Sequence, residues 1–111
     1  MSRSIHVIDL QTTTENHVIS VDVSFHDSRR KEYVVSLHDT EIGAQTRSIL
    51  FDFAVPSSVP IETVSRFNAK RLAEHAANWK TIPGVKELIA RILTVRKLEL
   101  TAEAKIIAGI E

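Results

Sequence analysis

The sequence predicts an α+β fold: an antiparallel meander of three to four strands in the N-terminal half, covered on one face by two to three C-terminal helices. Two periodicities and their order predict it. Apolar residues recur every second position up to about residue 55, and every third or fourth position from about residue 60. Strands grouped before helices, without alternation, favour α+β over a parallel doubly wound sheet. Neither layer is stable alone, so each must bury the apolar face of the other. The 111 residues suit a single domain, with strands over about 4–55 and helices over about 60–110.

The first strand covers about residues 4–11. Ile5 and Val7 fall on one side and Ile8 and Leu10 on the other, so its register is weakly specified. The next two strands are better defined. Ile19, Val21, Val23 and Phe25 alternate with Ser20, Asp22, Ser24 and His26. Tyr33, Val35 and Leu37 repeat the pattern after the polar turn from Asp27 to Lys31. If Phe25 opposes Tyr33, then Val23 meets Val35 and Val21 meets Leu37, and all of them share one face. Ile49, Phe51, Phe53 and Val55 predict a further strand, after a connection that holds Gly43.

Pro56 and Pro60 bracket a linker, and Pro60 suits the first turn of a helix because its missing N–H would be unpaired there. That helix runs to about Trp79, with Ile61, Val64, Leu72, Ala76 and Trp79 as its apolar stripe. The segment from Lys80 to Gly84 ends it. A second helix begins near Val85, with Leu88, Ile89, Ile92 and Val95 inward. Thr101 can cap a third helix carrying Ala104, Ile106 and Ile107. One long helix to Ala108 is the alternative, since no Pro or Gly interrupts residues 98–105; the break is favoured.

Composition removes several classes. With 43% apolar and 25% charged residues, the chain is not disordered. It has no Cys, hence no disulfide framework, thiol chemistry or thiolate metal site. No secretory h-region or run of membrane-spanning length appears, so a cytoplasmic protein without membrane contact is expected. The 14 basic and 14 acidic side chains cancel, but unevenly. Residues 1–55 carry five basic and eight acidic groups, a net −3, and residues 56–111 carry nine and six, a net +3.

Five histidines raise the question of a metal. His26-Asp27 and His38-Asp39 look like a repeat, but in the hairpin register residue 38 opposes residue 20. The two imidazoles are then roughly 20 Å apart, too far for one ion. No metal, cofactor or catalytic site is expected. Ser20, Asp22 and His38 have the residue types of a hydrolase triad, yet a flat wet sheet face provides no oxyanion hole and no shielded pocket. Phosphate-cradling glycine loops and calcium-binding loops are absent.

Three binding possibilities remain. Asn68 and His75 lie two helical turns apart and flank Leu72, so they could line a small-molecule pocket between sheet and first helix, with Trp79 as a wall. Arg66, Lys70 and Lys80 share the wet side of that helix and are the nucleic-acid alternative, although exposed aromatics between them are missing. Most favoured is a non-enzymatic binding or protein-interaction domain that self-associates, with a homodimer as the expected form and an unknown protein partner also open. It would use the two-faced first strand and the apolar C-terminal stretch of Ala104, Ile106, Ile107, Ala108 and Ile110.

Overall fold

The computed structural model describes residues 2–26, 32–43, 49–54 and 68–110. Four strands, β1 (Ser2–Gln11), β2 (His17–His26), β3 (Glu32–Glu41) and β4 (Ile49–Ala54), form one antiparallel sheet in the order β1-β2-β3-β4. Among the described residues, three helices come after the sheet: α1 (Ala69–Ala77), α2 (Val85–Arg96) and α3 (Ala102–Ala108). The α+β arrangement is therefore the one the periodicities predict.

The β2–β3 hairpin adopts the expected register, with Phe25 opposite Tyr33, Val23 opposite Val35 and Val21 opposite Leu37. Its cause is the period of two: a slip by one residue would turn every one of these side chains to the other face. Val21, Val23, Val35 and Leu37 are wholly buried, and Ile89 and Ile92 of α2 close over them. β4 continues the parity, with Phe51 opposite Leu37 and packed against the same core. Val55 lies outside the described residues.

β1 departs from the expectation of two apolar faces. Ile5 pairs with Val23 and Ile8 with Val21, so one extra residue, Val7, is accommodated by a bulge. A bulge resets the alternation. Ile5, Val7, Ile8 and Leu10 all pack on the single core, and on the opposite side His6 pairs with Asp22 and Asp9 with Ser20. The strand thus has one apolar face, and the register ambiguity in the sequence was the trace of the bulge.

The first helix also differs. A continuous helix to Trp79 is excluded by Asn68, whose backbone is extended (φ −136°, ψ 112°) and whose side-chain oxygen accepts the Arg71 amide N–H at 3.1 Å. Asn caps a helix better than it continues one, because its carbonyl can replace the missing turn. Ile61 and Val64 lie outside the described residues. Leu72 and Ala76 of α1 face the core as expected, while Trp79 reaches it from a short 3₁₀ turn, Trp79–Thr81.

The stretch after Val85 is two helices. Lys97 takes the left-handed conformation (φ 56°) and the Leu98 N–H bonds back to the Leu93 carbonyl at 2.9 Å, which closes α2 without a glycine. Residues 98–101 then run alongside the end of β1. The Thr13 N–H donates to the Glu99 carbonyl at 2.8 Å, the Thr101 N–H donates to the Gln11 carbonyl at 3.0 Å, and Thr12 bridges Leu100. These backbone bonds break the helix. Thr101 caps α3 as expected, its hydroxyl accepting the Ala104 N–H at 3.1 Å. Among the described residues no helix is long and apolar enough to cross a membrane.

Val95 is the exception in the α2 stripe, being 53% exposed. At about 100° per residue, Arg96 falls nearer than Val95 to the line of Val85, Ile89 and Ile92. It is occupied with Asp39 of β3, at 2.7 Å from Nε to Oδ2.

Candidate functional site

α3 buries its small residues and exposes its large ones. Ala104 and Ala108 face the core at 2% and 0% exposure, whereas Ile106 is 78% exposed and Ile107 40%. A helix that served only to cover the core would do the opposite. Fully burying an Ile side chain is worth about 1.5–3 kcal/mol, and most of that is unrealised at Ile106. Val95, at the end of α2, and Ile42, just after β3, are exposed as well. The Ile42 N–H is held by the Asn16 carbonyl at 2.7 Å, so Ile42 sits at the end of the sheet to which residues 98–101 are tied.

That end is fastened by one buried carboxylate. Asp39 is 1% exposed and accepts from Arg96 and from His17 Nδ1, the latter at 3.0 Å. Burial alone would raise its pKa. The hydrogen bonds and charges of His17 and Arg96 outweigh that and hold it below its ordinary value. One side chain thereby joins β2, β3 and α2.

The second face of the sheet, expected to be wet, is buried along β2 and β3. Ser20 is 3% exposed, Asp22 9%, and Ser24 and Ser36 both 8%. A polar network runs along it. Asp22 lies between two imidazoles, 2.7 Å from His6 Nδ1 and 3.4 Å from His38 Nε2. Asp9 Oδ1 receives the Ser20 hydroxyl at 2.8 Å and faces His6 Nε2 at 3.1 Å, and Ser20 also meets the Thr40 hydroxyl at 3.1 Å. The shielding that a triad would need is present, but the triad is not assembled, since the Ser20 hydroxyl donates to a carboxylate. The strand alternation placed Ser20, Asp22 and His38 together. It missed His6 and Asp9, because only the bulge brings residues three apart in one strand to the same face.

Asn68, His75 and Trp79 are placed around Tyr33 and the core. The Asn68 carboxamide is spent on the α1 cap and the residue is exposed, so it does not point into the apolar stripe. Its backbone N–H and carbonyl exchange hydrogen bonds with the Tyr33 hydroxyl at 3.2 and 3.3 Å. The His75 ring packs on Tyr33, centroids 5.0 Å apart and tilted by 58°. Burial lowers the His75 pKa, the Arg71 charge lowers it further, and Glu74 partly offsets both. Trp79 is buried in the core. Of the basic residues, Lys70 and Lys80 are exposed and Arg66 lies outside the described residues. Among the described residues, no group of three or more His, Asp or Glu side chains is placed to hold a metal ion.

No family model, curated protein or solved structure matches this chain.

Proposed function

We propose that the chain is a non-catalytic protein-interaction domain that pairs with a second copy of itself through α3 and the adjoining end of α2. The observation that carries this reading is the inverted burial of α3, with Ala104 and Ala108 inside and Ile106 and Ile107 outside. A second copy is the occupant that the charge supports. The chain has no net charge, so two copies meet without net repulsion. The bulged β1 contributes through its edge at most, since its apolar residues are used in the core of its own chain.

Sedimentation equilibrium over a rising concentration series tests the reading. The mass should climb from 12.4 kDa toward about twice that value. Ile106→Lys and Ile107→Lys should each weaken association at least about tenfold, the equivalent of ~1.4 kcal/mol. Ile106 is largely exposed, so its replacement leaves the fold in place and the readout clean. A parent protein that stays monomeric at the highest concentration refutes the proposal.

A further inference from the structure

The His6 ring has carboxylate oxygens on both sides. Nδ1 lies 2.7 Å from Asp22 Oδ1, and Nε2 lies 3.1 Å from Asp9 Oδ1. A neutral imidazole carries one N–H, so it can donate to only one of the two. An imidazolium donates from both nitrogens and meets both oxygens; in the neutral ring, the nitrogen without a proton and the carboxylate oxygen beside it form the donor pair that a metal ion takes. Two contacts decide which edge is open. The contact to Asp22, a residue only 9% exposed, is the shorter and the more buried of the two. The Nε2–Asp9 edge is half-exposed, the two side chains being 50% and 47% accessible.

We propose that His6 Nε2 and the Asp9 carboxylate form a two-point site for a divalent transition-metal ion of the zinc class, with Asp22 as the positioning residue behind the imidazole. The spacing suits the ion without rearrangement: two atoms 3.1 Å apart subtend about 95° at an ion ~2.1 Å from each, between octahedral and tetrahedral angles. The bulge at Val7 creates the site, since residues three apart in a regular strand point to opposite faces. A carboxylate on the far nitrogen of a ligating histidine fixes its tautomer and raises its basicity. The Ser20 hydroxyl, donating to Asp9 Oδ1 at 2.8 Å, orients the second ligand in the same way. No third protein ligand converges there among the described residues, so water completes the coordination sphere. This inference is independent of self-association.

The test is calorimetric titration of the full chain with zinc chloride near neutral pH. A single equivalent should bind. His6→Gln and Asp9→Asn should each weaken binding at least about tenfold, and Asp22→Asn by about 10–100-fold through the imidazole alone. His75→Gln should leave it unchanged. Far-UV circular dichroism checks that each variant folds. Should one fail, the imidazole proton resonances of His6 in the parent must still shift on zinc addition. No binding by the parent, equal binding by His6→Gln, or loss in His75→Gln overturns the proposal.

Discussion

Asp39→Asn isolates the charge that fastens the sheet to α2. The substitution keeps the shape and one acceptor oxygen but removes the negative charge from a position 1% exposed. Two charge-assisted contacts are affected, Arg96 at 2.7 Å and His17 at 3.0 Å. Hydrogen bonds to charged groups contribute about 1.5–3 kcal/mol each. Breaking a fully buried pair costs about 3–5 kcal/mol, but the Arg96 side chain is 36% exposed and recovers part of its hydration. A loss of about 2–3 kcal/mol at neutral pH follows from these bounds. Urea unfolding of parent and variant measures it. The pH dependence supplies a second check. The Asp39 pKa is lowered in the folded chain, so its contribution is complete above the ordinary value of 3.8 and disappears as pH falls through the lower folded value. The gap between parent and variant should therefore persist at pH values above 3.8 and close in stronger acid. A neutral-pH difference below about 1 kcal/mol, or a gap that stays open in strong acid, refutes the assigned role.

Two further predictions concern the segment that presents α3. Lys97→Gly should stabilise the protein by about 0.5–1 kcal/mol, because Lys97 occupies a left-handed conformation (φ 56°) that glycine adopts without a Cβ penalty. The midpoint of thermal unfolding should rise, and a fall would show that the aliphatic stem of Lys97 matters more than its backbone. Thr101→Ala should cost about 1 kcal/mol by removing the α3 cap, read as a lower urea midpoint with an unchanged slope.

The parts of the fold visible in the sequence are those governed by local repetition. Val21, Val23, Val35 and Leu37 lie on unbroken alternations, and a period of two leaves one register that keeps them together. Thr101 was legible for a similar reason, since a hydroxyl three residues before Ala104 has a fixed geometric use. What escaped was set by partners distant in the chain. The bulge at Val7 removes the alternation on which a strand is recognised, so β1 reads as apolar on both sides. Ser20 and Asp22 read as wet because their partners, His6 and Asp9 on one side and His38 and Thr40 on the other, arrive from two other strands. The inward line of α2 points to Arg96 rather than Val95, but an arginine is read as a core position only once its buried partner, Asp39, 57 residues earlier, is known. Asn68 fits the helical pattern equally well as one more position, because its cap is a side-chain choice between two local geometries.

The same non-local contacts explain why the exposed isoleucines are presented firmly. Isolated helices as short as α3 are marginal in water, and its inner face buries only Ala104 and Ala108. Side-chain burial is therefore a small part of what holds it. Its position is set by backbone: residues 98–101 bond to the end of β1 at Thr13 and Gln11, the Thr101 hydroxyl caps the first turn, and Gly109 (φ 73°) closes the last. Larger inward residues would have supplied more burial but held the helix farther from β1. The small inner face lets α3 sit close, and the large apolar side chains are carried outward on an anchored scaffold. Such anchoring lowers the ordering cost of association, which is the physical reason to seek the partner at this end of the molecule.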